Sequence, residues 1–221
     1  MKRFTALLLA LCFLALIGCG NKGELTEEGF TDTRTGIEYV EVEPMGLYPV
    51  QKGEELLTLK KGEETVPYYE VLFEDTSEFL CYEIEGNLFL VRAKTAKEPT
   101  VSEFNPIAAT IYNAANTYPI DNFFADVEYL PDDKKNEFTV GETALCKLAA
   151  EAITNGEAVE LNFQYEDLDA LYYIRLLSQD YPGLYYLISF FRYNGRCFLR
   201  DDRLGKTVYC PNDIIARMGG D

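Results

Sequence analysis

The chain has 221 residues, which is enough for one large domain or two small ones. It carries 37 acidic and 20 basic residues, and the formal net charge of −17 argues against nucleic acid as a partner, because phosphate binding needs a basic surface. The absence of histidine excludes Ser-His-Asp and Cys-His catalysis and every histidine-ligated metal site. We therefore expect no cofactor and no metal.

The N-terminus has the features of an export signal. A basic start is followed by an apolar run over residues 6–17, too short to span a bilayer but suited to the hydrophobic region of a signal peptide. The run ends in Leu16-Ile17-Gly18-Cys19, which resembles the lipobox of bacterial lipoproteins. The resemblance implies a signal peptide at 1–18, lipid attachment at Cys19 and a membrane-anchored extracytoplasmic protein. Because Gly20 follows the cysteine, the membrane in a Gram-negative host would be the outer one.

The resemblance covers only the signal, and an ordinary secretory signal or a retained N-terminal anchor is the alternative. After it, residues 19–36 are polar and Gly-containing, which predicts a lipidated N-terminus and flexible tether. Residues 37–92 hold five short alternating segments with Gly-rich turns, typical of a small all-β, barrel-like domain. Residues 93–103, which include Pro99, are predicted to be a linker.

Residues 104–221 mix helical and strand patterns, so we expect an α+β domain that ends in an antiparallel meander and an α+β fold class overall. The clearest helix has apolar residues spaced at i, i+3, i+4, i+7 and i+8 from Leu145. The clearest hairpin turns through Asn194-Gly195. The predicted elements are, in order, a helix at 106–118, a strand at 127–130, a helix at 145–155, a strand at 158–165, a helix at 167–179 and strands at 184–193, 196–200 and 206–210.

Four cysteines remain after the lipobox. If Arg200 lies opposite Thr207 in the last strand pair, Cys197 lies opposite Cys210, and directly opposed antiparallel residues come close enough to form a disulfide. The sequence does not decide between a bridge and buried thiols for the other two cysteines, at positions 81 and 146.

The same register separates two faces of the C-terminal strands. One face carries Arg beside Phe and Tyr, the composition of a binding surface. The alternative is that another segment covers these aromatic residues and that the arginines pair with the protein's own acidic residues. The candidate interaction face consists of Phe191, Tyr193, Arg196, Phe198, Arg200 and Tyr209.

These observations favour a non-enzymatic binding protein of the cell envelope. It would be held to the membrane by its N-terminal lipid, with an envelope protein, a peptide or an envelope polymer as partner. One alternative is a hydrolase that uses two carboxylates on an envelope polysaccharide, since acidic pairs are abundant. Another is a structural or inhibitory lipoprotein with no small ligand. The sequence does not reveal the oligomeric state.

Overall fold

The computed structural model describes residues 22–42, 46–113, 137–138 and 143–218. Most of the regular structure in these residues is β, and the α+β class, with a barrel-like N-terminal sheet and a C-terminal antiparallel meander, is confirmed. The strands are β1 (Gly23–Leu25), β2 (Gly29–Asp32), β3 (Ile37–Glu41), β4 (Leu47–Pro49), β5 (Lys52–Lys61), β6 (Glu64–Val71), β7 (Phe79–Ile84), β8 (Asn87–Ala93), β9 (Pro106–Asn113), β10 (Glu137–Phe138), β11 (Ala170–Ser178), β12 (Leu184–Tyr193), β13 (Arg196–Asp201) and β14 (Lys206–Tyr209). The helices are α1 (Thr143–Asn155) and α2 (Asn212–Arg217), with a 3₁₀ turn at Tyr165–Asp167.

The N-terminal sheet curls into a nearly closed barrel with the strand order β1-β2-β3-β8-β7-β6-β5. Its two end strands meet where a Cβ on Gly23 would lie 2.5 Å from the Leu59 side chain, so glycine allows this approach. The turn between β7 and β8 uses Glu85 and Gly86, both at positive φ, as a tight hairpin needs. The barrel interior is filled by Phe30, Tyr39, Leu57, Leu59, Tyr68, Leu80 and Val91.

The prediction of a flexible tether over 19–36 is wrong for its described part. β1 and β2 lie within that range and form one end of the barrel sheet. Phe30 is buried in the barrel, and Arg34 binds the Asp32 carboxylate through two nitrogens. The segment looks like a tether because its few apolar residues are spaced among polar ones, yet one well-placed phenylalanine is enough to join it to an existing core.

The second sheet is also antiparallel, with the strand order β10-β9-β11-β12-β13-β14. β12 is longer than β13, and β4, which comes from the N-terminal half of the chain, pairs with the remaining length of β12. Leu47 lies opposite Tyr186 in this pair, and the Tyr48 ring stacks on Tyr185 at 5.2 Å. A segment predicted to belong to the small β domain is therefore part of the C-terminal sheet.

Two predicted helices are strands. Residues 106–113 of the predicted 106–118 helix form β9, and most of the predicted 167–179 helix forms β11. Asn105 has a φ of 52°, so it does not have the extended backbone of a helix N-cap, and Pro106 takes the first position of a strand, where its missing N–H is tolerated. β11 is paired on both sides, and these ladders outweigh its weak local helical pattern.

The helix predicted from Leu145 is confirmed as α1, which packs on one face of the second sheet against β9, β13 and β14. The strand predicted at 158–165 is not part of either sheet. Its backbone is tied to the sheet where the Val159 N–H donates to Thr207 O at 2.8 Å. The segment from Val159 to Leu168 instead lies across the opposite face of the sheet.

The predicted linker at 93–103 is packed rather than free. Val101 is buried, and so is Phe104, whose ring stacks on Tyr181 at 5.5 Å. Arg203 fixes the same segment, because its guanidinium binds Glu98 at 2.9 Å and the Pro99 carbonyl at 3.1 Å. One hydrophobic core thus joins residues of the barrel to residues of the second sheet and α1.

Candidate functional site

The C-terminal meander has the register that the sequence predicts. Asn194 and Gly195 have φ values of 51° and 69°, as a two-residue hairpin requires, and Tyr193 lies opposite Arg196. In the next pair Arg200 lies opposite Thr207, which confirms that part of the prediction. The hairpin therefore places the side chains of β12, β13 and β14 on two well-defined faces.

The candidate interaction face is not the open surface that the sequence predicts. Phe191 and Phe198 are only 1% and 2% exposed, so neither ring is available to a partner. They pack under the 159–168 segment, where Phe163 lies 5.1 Å from the Phe191 ring. Covering these rings removes large apolar surface from water, the ordinary fate of aromatic residues on a sheet.

Two further members of this face interact within the protein. Arg200 binds the Asp202 carboxylate at 2.7 Å and the Thr207 hydroxyl at 3.2 Å. The Tyr193 hydroxyl donates to Asn162 O at 3.3 Å. These contacts correspond to the alternative in which the aromatic residues are covered and an arginine pairs with the protein's own carboxylate.

Arg196 and Tyr209 remain at the surface. Arg196 is exposed, Tyr209 is 53% exposed, and the Arg196 guanidinium donates to the Tyr209 hydroxyl at 3.1 Å. The two residues come from neighbouring strands, and the end of the sheet brings them together. Of the six predicted residues, these two are the ones that the structure presents to a ligand.

An open cleft of about 510 Å³ surrounds this pair at the end of the meander. Its polar lining includes Arg192, which precedes the hairpin turn, and Asn212, the first residue of α2. Arg192 is half-buried, and within the described ranges its guanidinium has neither a hydrogen bond nor an ion pair. The polar and thiol residues that line the cleft are Arg192, Arg196, Cys197, Tyr209, Cys210 and Asn212.

The lining is suited to an anion. Each guanidinium offers a planar set of N–H donors that matches a carboxylate or a phosphate, and the Tyr209 hydroxyl and the Asn212 amide add further donors. The sequence from 171 to 221 is slightly basic, with 7 basic and 5 acidic residues, although the whole chain is strongly acidic. The cleft thus lies in a part of the chain whose net charge is positive and does not repel an anion.

The cleft contains two thiols, and the Cys210 thiol is not an activated nucleophile. Burial, and to a smaller degree the neighbouring Cys197, raise the pKa of the Cys210 thiol, which therefore stays protonated near neutral pH. The Cys210 Sγ lies 3.7 Å from Pro211 O, as expected of a thiol donor. This arrangement does not resemble a catalytic cysteine, whose pKa is lowered by a cationic neighbour.

Buried carboxylates are used to build turns. Asp201 accepts hydrogen bonds from the Tyr186 hydroxyl at 2.7 Å and from the Leu204 N–H at 3.2 Å. Asp202 accepts one from the Ser189 hydroxyl at 2.5 Å, and burial raises its pKa although Ser189 and Arg200 oppose the rise. The hydrolase alternative needs two carboxylates that face a cleft, and these two have partners inside the protein.

A second, smaller cavity of about 280 Å³ lies at the barrel, beside Asp32, Arg34 and Tyr39. Its arginine is already engaged, because it binds Asp32 and also donates to Leu56 O at 2.8 Å. The Tyr39 hydroxyl donates to Thr76 O. Asp32, Arg34 and Tyr39 of this cavity therefore have partners, whereas the Arg192 guanidinium of the cleft at the meander has none in the described part of the chain.

Sequence reasoning missed Arg192 and Asn212. Arg192 lies opposite Cys197, on the face that the sequence assigns to the core, and at the hairpin end that face is no longer covered. The available signal was the charge itself, since an arginine at an inward-facing position of an alternating strand is unusual. Asn212 gives no comparable signal, because it lies between Pro211 and Asp213, and such residues are common in turns and at helix starts.

Among the described residues there is no group of three or more Cys, Asp or Glu side chains arranged to hold a metal ion. The helices found there are too short or too polar to cross a membrane. Cys19 and the predicted strand at 127–130 lie outside the described residues. Comparison with protein-family models, with curated proteins and with solved structures finds no significant match.

Proposed function

We propose that the protein is an extracytoplasmic lipoprotein, anchored through Cys19, that acts as a non-enzymatic binding protein for an anionic group of an envelope ligand. The observation that carries the binding proposal is Arg192, a half-buried residue whose guanidinium has no partner in the described residues and which lines an open cleft with Arg196 and Tyr209. A carboxylate or a phosphate supplies the acceptor oxygen that Arg192 lacks.

The energetics favour such a ligand. A buried or half-buried charge without a partner is costly, and a ligand that supplies a charge-assisted hydrogen bond contributes about 1.5–3 kcal/mol. Two arginines that act on one anion also give geometric selectivity through their planar donor groups. The volume of about 510 Å³ is in the range of small-ligand sites.

The binding test uses inorganic phosphate and succinate as probes, with the full chain in detergent and calorimetric titration. Arg192→Gln and Arg196→Gln should each weaken binding of the responding probe by about tenfold, since a factor of ten corresponds to 1.4 kcal/mol. Lys60→Gln is the matched control, because it removes one positive charge from an exposed position of the barrel sheet. If neither probe binds, or if all three variants bind equally, the cleft is not an anion site.

The anchor test is separate. Cells that express the full chain are labelled with a palmitate analogue, and the protein is partitioned between detergent and aqueous phases. The wild type should carry the label and partition into detergent, and Cys19→Ser should lose both properties because the lipid is attached to that sulfur. Labelling of Cys19→Ser equal to that of the wild type would refute the lipoprotein assignment and leave the cleft proposal unaffected.

A further inference from the structure

Two cysteines come together in the lining of the cleft. The pairing of β13 with β14 continues past the last strand residue, because the Cys210 N–H donates to Cys197 O at 2.9 Å. Cys197 and Cys210 are therefore opposite each other on antiparallel backbone. Both carry free thiols in this structure, and both line the cleft.

The backbone spacing at such a position suits a disulfide. Directly opposed residues that share an inter-strand hydrogen bond have Cα atoms about 5.5 Å apart, and disulfides bridge Cα atoms about 4.4–6.8 Å apart. The two side chains also lie on the same side of the sheet, because register partners point to the same face. At this backbone spacing, rotation of the two side chains can bring the sulfurs within bonding distance.

The two thiols differ in their access to solvent. Cys197 is half-buried and reachable from the cleft, whereas Cys210 is only 7% exposed. An exchange reaction would therefore begin at Cys197, and Cys210 would be the thiol that resolves the intermediate.

We propose that Cys197 and Cys210 are a reversible disulfide site that is oxidised by thiol–disulfide exchange with a small disulfide reagent entering the cleft. The Cys197 thiolate attacks the reagent and forms a mixed disulfide, and one reduced thiol leaves. Cys210 then gives up its proton as its sulfur attacks the Cys197 sulfur, and the second reduced thiol is displaced. The dithiol loses two electrons and two protons, and the reagent gains both.

The other two described cysteines provide internal controls. Cys81 is fully buried in the main core, where its Sγ contacts Glu70 O at 3.5 Å and burial raises its pKa to about 12. Cys146 is fully buried on α1. We expect neither thiol to react in the folded protein.

The test treats the folded full chain with oxidised glutathione, alkylates the remaining thiols and digests the protein with trypsin. Cleavage after basic residues separates the two cysteines into the peptides 197–200 and 207–217. The expected product is these two peptides joined by a disulfide that dithiothreitol breaks. Alkylation of both cysteines after oxidation, with no joined peptide, would overturn the proposal.

Two variants test the order of the steps. Cys210→Ser should retain a glutathione adduct on Cys197, because the resolving thiol is absent. Cys197→Ser should leave Cys210 unmodified. The reverse pattern, or an unmodified Cys197 in Cys210→Ser, would refute the assigned order of attack. None of these results depends on whether the cleft binds an anion, so this proposal and the proposed function can fail separately.

Discussion

Leu47→Ala tests whether the barrel and the second sheet share one cooperative core. Leu47 belongs to the N-terminal half of the chain, but it lies on β4, which pairs with β12 of the second sheet. Its side chain is 1% exposed and is part of the core that contains residues of both sheets. The substitution removes buried apolar groups and leaves a cavity in that core, which the surrounding structure fills only in part.

The expected loss of unfolding free energy is about 3 kcal/mol, within the usual range of about 2–5 kcal/mol for a buried Leu→Ala change. For a chain of this size, a loss of about 3 kcal/mol lowers Tm by roughly 6–12 °C. Leu204→Ala is the matched control, since Leu204 is 57% exposed in a surface turn and the same deletion there should change the unfolding free energy by less than about 0.5 kcal/mol.

The assay is urea unfolding followed by tyrosine fluorescence and by far-UV circular dichroism. Both probes should show a single transition, which shifts to lower urea in Leu47→Ala with an unchanged m-value. Two separated transitions, with only one of them moved by the substitution, would refute the shared core and restore the division into two domains joined by a linker that the sequence predicts.

Two further predictions concern the first strands of the barrel. Gly29→Ala should destabilise the protein by about 1–3 kcal/mol, because the new Cβ would lie 2.1 Å from Tyr39 O. Gly53→Ala is the control and should destabilise the protein less, because its Cβ would meet only the flexible side chain of Glu70. Equal urea midpoints for the two variants would contradict this prediction. Burial alone would raise the pKa of Asp32, but hydrogen bonds from Arg34 lower this pKa below its ordinary value of 3.8. The stability that the carboxylate contributes is therefore present above pH 3.8 and is lost as the pH falls through the lowered pKa. The destabilisation by Asp32→Asn should therefore be largest at neutral pH and shrink below about pH 4 in thermal unfolding, and a pH-independent effect would contradict the assignment.

The parts of the fold that were predictable from sequence are those specified by local chemistry. Asn194-Gly195 fixes both the turn and the register of β12 with β13, because few residues accept two successive positive φ values. The stripe that begins at Leu145 is long enough to identify α1 without any knowledge of its neighbours. The β7–β8 hairpin was predictable because Gly86, like Gly195, supplies a turn residue that accepts a positive φ.

The errors lie where pairing between distant segments decides the structure. β11 has the sequence Ala-Leu-Tyr-Tyr-Ile-Arg-Leu-Leu-Ser, whose apolar residues satisfy a short helical pattern as well as a strand pattern. Its burial alternates along most of its length because β9 and β12 flank it, and neither neighbour is visible in the local sequence. The pairing of β4 with β12 connects residues more than 130 positions apart, and no local signal specifies it.

In the candidate site, too, the locally specified features were predictable and the contacts between distant segments were not. Alternation correctly assigned the strand faces, but it did not show that residues 159–168 cover one of them, because that segment belongs to neither sheet and packs against side chains that are distant from it in sequence. Under this covering segment the aromatic face becomes core, whereas Asn194 and Gly195 at the hairpin tip stay exposed. Arg192 is inward-facing by register but lies at that open end, so a position that elsewhere in β12 holds Phe190 or Ile188 instead presents a charge to the cleft. The binding proposal therefore depends on where core packing stops along the other face of β12, after Ile188 and Phe190, as much as on the residues of the strands.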